Sequence, residues 1–200
     1  MTTSGMKRAL LGALLLAIVG AVPAAAQNQW FSLAYGVSLP SDGTKDFTDN
    51  TSWRNLSADY SWFTTRNIAI GFNAAWSVFV ERVPDETASL EGVDVTGTQV
   101  RYVNAFPMLL TVHRYLGQPG GIRPYLGAGV GTYFVEERLE IGVVALTADA
   151  WHFGLAPEAG LIVPVGWRAR ALLQAKYNWA LKANEIEHTY WTFNIGFAFQ

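Results

Sequence analysis

The sequence predicts an all-β protein: an eight-stranded antiparallel up-and-down transmembrane β-barrel over residues 27–200, preceded by a cleaved signal peptide over residues 1–26. Three observations predict it. The chain begins with a secretory pattern. The remainder divides into segments in which bulky apolar residues alternate with small or polar ones, the period of an extended backbone. The tryptophans gather at the ends of those segments, where a bilayer has its two interfaces.

In the opening stretch, Lys7 and Arg8 precede an apolar run over residues 9–22, and Ala24, Ala25 and Ala26 form a small-residue cleavage site after Pro23. That order of charge, apolar run and small residues is a signal peptide, and cleavage is expected after Ala26. The mature chain loses two basic residues and no acidic ones, which leaves 12 Lys and Arg against 16 Asp and Glu, a net charge of −4. A mildly acidic chain without basic clusters is not a nucleic-acid binder. Cysteine is absent, which excludes disulfides, thiolate metal sites and thiol nucleophiles.

The first segment, NQWFSLAYGVSLP, sets Phe31, Leu33, Tyr35, Val37 and Leu39 against Ser32, Ala34, Gly36 and Ser38. The second, over 55–63, sets Leu56, Ala58, Tyr60 and Trp62 against Asn55, Ser57, Asp59 and Ser61. The third runs from Ile68 through Phe72 and Trp76 to Val80, opposite Ala69, Gly71, Asn73, Ala75, Ser77 and Glu81. The fourth, over 98–113, places Val100, Tyr102, Phe106, Met108, Leu110 and Val112 on one face, although Asn104 shares their parity. The fifth, PYLGAGVGTYF, alternates Leu126, Ala128, Val130 and Phe134 with Gly127, Gly129 and Gly131, small residues that suit a crowded barrel interior. The sixth sets Trp151, Phe153, Leu155, Leu161 and Val163 against His152, Gly154, Glu158 and Gly160. The seventh, from Trp167 to Trp179, has Arg168, Arg170, Gln174, Lys176 and Asn178 on its polar face. The eighth, YWTFNIGFAFQ, carries Trp191, Phe193, Ile195, Phe197 and Phe199.

Pro107 and Pro157 fall inside strands, where a residue without an N–H predicts a bulge. Short turns are expected at 64–67, 116–122 and 164–166, and longer polar loops at 40–52, 83–97, 136–148 and 181–187. That asymmetry places the short turns and both termini in the periplasm. Trp30, Trp62 and Trp167 then lie at periplasmic strand ends, and Trp53, Trp76, Trp151, Trp179 and Trp191 at outer ends. Strands can span a bilayer only as a closed barrel, because every backbone group must be paired in lipid.

The signal peptide, the strand count, the stretch PYLGAGVG and the aromatic last strand resemble the small eight-stranded outer-membrane barrels of Gram-negative bacteria, the group of the OmpA transmembrane domain and OmpW-like proteins. The resemblance implies integral insertion among outer-membrane lipid and lipopolysaccharide. It also implies that Trp191, Phe193, Ile195, Phe197 and Phe199 act as the signal read by the outer-membrane assembly machinery, although Gln200 follows the last aromatic residue.

The inward charges Asp59, Glu81, Arg101, Glu158, Arg170 and Lys176 are expected to form an ion-pair network filling a lumen too narrow for an open pore. Within it, Glu81 is expected near Arg101, and Glu158 near Arg170. No catalytic, cofactor or metal site is read from the sequence. Lipid A deacylases among such barrels use a His and a Ser two residues apart, and no His-x-Ser occurs at His113, His152 or His188. The loop carboxylates, among them Asp85, Glu86, Asp94, Glu136, Glu137 and Glu140, lack the spacing of a calcium loop. The function expected is therefore structural or surface-interacting, without catalysis. A narrow channel or transporter is the alternative, and a soluble secreted barrel with its aromatics turned inward onto an apolar ligand is a further one.

Overall fold

The period-two segments close on themselves. The structure, a computed structural model, describes residues 29–200 apart from 91, 92, 143, 184 and 185, with only the backbone described over the rest of 85–96 and at 144. The signal peptide and its cleavage site lie outside the described residues, as do the side chains of Asp85, Glu86 and Asp94. The strands are β1 (Gln29–Ser41), β2 (Ser52–Phe63), β3 (Ile68–Leu90), β4 (Val93–Tyr115), β5 (Arg123–Ile141), β6 (Val144–Pro164), β7 (Ala169–Ala183) and β8 (Ile186–Phe199), with one short helix, α1 (Asp42–Phe47). Each strand pairs antiparallel with the next, and β8 returns to β1 through pairs from Phe31↔Phe199 to Ser41↔Thr189. Closure pairs the first strand with the last, so no strand is a free edge through the apolar belt.

The alternating faces fall as the residue types require. Phe31, Leu33, Tyr35, Leu56, Tyr60, Ile70, Phe72, Leu110, Leu126, Phe153, Leu173, Ile195 and Phe197 point outward, and Ser32, Asn55, Ser57, Asp59, Asn73, Gln174, Lys176 and Asn194 are buried within. This overturns the inverted alternative, in which the aromatics would line a cup. A row of Asn, Ser and charged groups inside can bond across the narrow lumen, whereas branched and aromatic side chains on one continuous outer belt cannot be shielded from solvent by this chain itself.

Four expected loops change, 181–187 among them, since β7 runs to Ala183 and β8 starts at Ile186. Residues 83–97 and 136–148 are not loops, because β3, β4, β5 and β6 continue through them as long hairpins, of 23, 23, 19 and 21 residues. Loss of apolar alternation marks the end of the outward apolar belt, whereas the backbone ladder needs only pairing partners. Asn104, whose parity looked wrong, faces outward at this level and donates from Nδ2 to Glu136 Oε1 at 3.4 Å. Segment 40–52 is also not a plain loop, since it contains α1, which buries Thr44 completely and packs Phe47 on the core of the barrel.

Pro107 and Pro157 form no bulge. Pairing of β4 with β3 runs from Ala74↔Met108 to Ser77↔Ala105 without a change of register, and β6 with β7 from Leu155↔Trp179 to Glu158↔Lys176 likewise. The ladder lapses only beside each proline, on the one side where an N–H is missing, while both pair in register with β5 as Pro107↔Tyr133 and Ala128↔Pro157. Register does shift between Gly36 and Ser38, between Val83 and Glu86 and between Ala180 and Ala183.

The lumen as candidate functional site

The inward residues stack in storeys. At the short-turn end, Trp30 packs edge-on against Phe63 at 4.5 Å and Tyr115 at 5.2 Å, and Tyr115 lies 5.2 Å from Tyr125. Ile162 and Leu172 complete this apolar storey. Tyr125 lies across Gly160, where any side chain would collide with its ring.

Charge occupies the middle storey. The β6–β7 register sets Glu158 opposite Lys176, and Lys176 Nζ lies 3.0 Å from Glu158 Oε2. The other carboxylate oxygen, Oε1, lies 2.6 Å from His113 Nε2 and accepts from Gln174 Nε2 at 3.2 Å. His113 on β4 and Glu158 on β6 can meet across β5 because the intervening residue is Gly127. A Cβ there would strike the His113 ring and stand 3.1 Å from Glu158 Cγ. From this centre hydrogen bonds continue around the wall: Asn194 Nδ2 donates to Gln174 Oε1 at 2.9 Å, Asn55 to Asn194, and Ser77 Oγ to Asn55 Oδ1 at 3.0 Å. Ser57 Oγ receives Asn73 Nδ2 at 2.8 Å and donates to Asp59 Oδ2 at 3.3 Å. Burial of a charge is tolerable only with such partners, and the side chain of Glu158 is wholly buried.

Above it, Phe79, Val103, Leu109, Tyr133, Val135 and Tyr190 form a second apolar storey, with Phe79 and Tyr190 edge-on at 5.4 Å. Tyr133 lies over Gly154, whose Cβ would stand 2.6 Å from its ring. At the outer end the His152 and His188 rings are 5.3 Å apart, His188 Nδ1 is 3.5 Å from Thr44 Oγ1 of α1, and its Nε2 is 3.6 Å from Glu137 Oε1. His188 lies three residues beyond Trp191, and Glu137 three beyond Phe134, outside the outward apolar belt. Burial, with a smaller contribution from His152, lowers the His188 pKa to about 4, and burial raises that of Glu137. The 3.6 Å separation suits a neutral ring, being too long for a hydrogen bond.

Of the residues singled out in the sequence, Asp59, Glu158 and Lys176 share the middle storey. Glu81 and Arg101 are direct cross-strand partners near the outer end. There Glu81 Oε2 accepts from the Asp49 backbone N–H at 2.9 Å, and Arg101 Nη2 donates to Gln99 Oε1 at 3.3 Å. Both therefore lie beside the chain that leaves α1.

Two assignments are corrected. Arg170 does not approach Glu158, because it pairs with Pro164, six residues down β6. The reason is the turn: Val165 and Gly166 N–H groups both reach Ala169 O, so β7 starts at Ala169 and Lys176 takes the place opposite Glu158. Trp30 is 7% exposed and inside the barrel, where its ring carries the Arg170 guanidinium at 4.7 Å. Its parity with Ser32 required this. The other seven tryptophans are exposed, from 39% at Trp179 to 102% at Trp167.

Sequence reasoning missed the inward aromatic storeys. Phe79 shares the parity of Ser77 and Glu81, and Tyr133 that of Gly131, so strict alternation would have found them.

Two lumen cavities are small, ≈20 Å3 beside Asp59 and His113 and ≈10 Å3 beside Lys176 and Asn178. Charged groups thus meet one another in a filled lumen. No grouping of three or more His, Asp or Glu suited to a metal ion occurs among the described residues.

No protein-family model and no curated protein matches the sequence. Solved structures do match. OprG of Pseudomonas aeruginosa is 15% identical with a TM-score of 0.53, covering 86% of this chain and 95% of that one. Neisserial surface protein A is 12% identical at 0.52, covering 86% and 94%. Ail, the attachment invasion locus protein of Yersinia pestis, is 12% identical at 0.51, covering 86% and 98%. The fold is that of the small eight-stranded outer-membrane barrels.

Proposed function

We propose that this chain is an integral outer-membrane protein of a Gram-negative bacterium, with both termini in the periplasm and a structural or surface-interaction role without catalysis. The outward belt carries this reading. It circles the whole barrel with Leu, Ile, Phe, Tyr and Trp, among them Leu110 at 67% exposed and Ile195 at 63%. Soluble monomers rarely expose apolar patches beyond a few hundred Å2, whereas lipid accepts such a belt and water does not. The seven outward tryptophans sit at its two rims, as interfacial aromatic girdles do.

The filled lumen supports a closed barrel over a channel. The long hairpins β3–β4 and β5–β6 rise beyond the belt on the side opposite the short turns, and are the parts available to a partner at the cell surface. Outward Trp191, Phe193, Ile195, Phe197 and Phe199 on β8 form the face offered to lipid and to the assembly machinery.

Envelope fractionation with a heat-modifiability gel tests the reading. The protein should fractionate with the outer membrane and change mobility in detergent on boiling, because a closed barrel resists unheated detergent. A soluble periplasmic protein without a mobility change would defeat it.

A further inference from the structure

The largest cavity described lies outside the plug, at the short-turn end. It measures ≈330 Å3, and Arg66, Arg123 and Arg170 line it together with Gln200, whose Oε1 accepts from Arg170 Nη1 at 3.4 Å. Arg123 is 2% exposed, and its Nη2 donates to Arg66 O at 2.7 Å and Asn67 Oδ1 at 3.0 Å, so the tight turn fixes it in place. Its guanidinium lies 5.0 Å from the Tyr115 ring, and that of Arg170 lies 4.7 Å from Trp30. The buried Nε atoms of Arg123 and Arg170 have no hydrogen-bond partner. Thr65 Oγ1 accepts the N–H groups of Asn67 and Ile68 at 3.3 and 3.0 Å, which leaves its own proton free to be donated. Cations gathered against an aromatic floor repel one another in a partly dry site, and the planar guanidinium edge matches an oxyanion.

We propose that this vestibule binds a phosphate-bearing anion, with Arg66, Arg123 and Arg170 supplying charge and Thr65 a hydroxyl donor. A phosphate ester, at about −1.5 to −2 near neutral pH, balances the three arginines better than a single carboxylate. The cavity also has the size of a small-ligand pocket, roughly 300 Å3 or more, and so admits the ester's carbon group. A soluble phosphate ester and the headgroup of a phospholipid in the adjacent leaflet share this chemistry.

The test uses the full barrel, labelled with 15N at arginine, in neutral detergent. Glycerol 3-phosphate is titrated at constant ionic strength while the Arg123 and Arg170 Nε–H resonances are followed. Saturable shifts are expected. Arg66→Gln and Arg170→Gln should each weaken binding by about tenfold or more, the scale of one lost charged hydrogen bond. Arg168→Gln, exposed and outside the cavity, should leave it unchanged. Arg66 and Arg170 are chosen because Arg123→Gln also removes the bonds to the turn. Repeating the titration in nanodiscs identifies the source. Shifts already present in phosphatidylglycerol discs, with the soluble probe excluded, assign the headgroup. Equal binding of the probe in anionic and zwitterionic discs assigns a soluble ester. Lack of a saturable shift in detergent and in both discs, or unchanged affinity in the Arg66 and Arg170 variants, overturns the proposal.

Discussion

At the scale of single residues, Glu158 is the centre on which the polar storey depends. Its two carboxylate oxygens serve Lys176, His113 and Gln174, so removing it strands a buried ammonium. Breaking a buried pair from one side costs about 3–5 kcal/mol, whereas replacing both partners with apolar groups is often neutral. Glu158→Leu should therefore lower the urea midpoint sharply, and Glu158→Leu combined with Lys176→Met should recover most of the loss. Gly127 supports the same centre by its lack of a side chain, and Gly127→Val should destabilise the barrel in the same assay by displacing the His113 ring. His188 gives a pH dependence of known sign. Its folded pKa of about 4 lies below the ordinary 6.5, so the unfolded state binds the proton more readily. Its contribution to stability is intact above pH 6.5 and is lost as pH falls towards about 4, on the order of 3 kcal/mol at most. Glu137, raised by burial, acts in the opposite sense, gaining stability on acidification through the carboxylate range. Protection of the α1 backbone amides against hydrogen exchange, taken relative to the intrinsic rate at each pH, should fall between pH 6.5 and 4 because His188 approaches α1 through Thr44, and His188→Asn should flatten that profile. The charges themselves were legible in the sequence as inward residues. Their pairing was not, because the partner of Glu158 depends on which residue ends a four-residue turn.

Among the elements, the belt-spanning parts of the strands were legible and their outer continuations were not. Alternation reports contact with two different environments, so it fades when both faces of a hairpin are polar. β3 and β4 continue to Leu90 and Val93 with no apolar stripe to announce it. α1 was hidden for a related reason: six residues are too few to show helical periodicity, and tertiary contacts hold them, namely the packing of Thr44 and Phe47 against the barrel and the hydrogen bonds of Arg101 Nη1 to Phe47 O and of Tyr177 OH to Asp42 Oδ2. The prolines show what a ladder tolerates. Because register passes through Pro157 unchanged, its cost is the missing N–H on the β7 side alone. Pro157→Ala should supply that donor without moving any neighbour. It should leave the fold intact and stabilise it by about 0.5–1.5 kcal/mol, the net worth of one hydrogen bond, in chemical unfolding. A bulge would predict the reverse, since an alanine would then release a fixed kink.

For the whole molecule, the filling of the lumen decides between plug and pore. Alternation along each strand assigns side chains to the inside but does not say how far they reach across it, so closure was an expectation from barrel size and became a geometric fact only with Tyr125, Tyr133 and Tyr190 in place. The obstruction is serial: an aromatic storey with Trp30 and Tyr115, a charged storey with Glu158 and Lys176, and a second aromatic storey with Phe79 and Tyr190. The cavities between them, ≈20 and ≈10 Å3, have no more than water-sized dimensions. In planar bilayers the protein should therefore show no unitary conductance. Opening the charged storey alone, with Glu158→Ala and Lys176→Ala together, should still give none, because the ring clusters above and below remain. Current should arise only when all three storeys are opened, for example by adding Tyr115→Ala, Tyr125→Ala, Phe79→Ala and Tyr190→Ala to that pair in a barrel that still passes the heat-modifiability test. Steady conductance from the unaltered protein, or from the charge pair variant alone, would show that the aromatic storeys move aside in the membrane and that the charged centre is the gate.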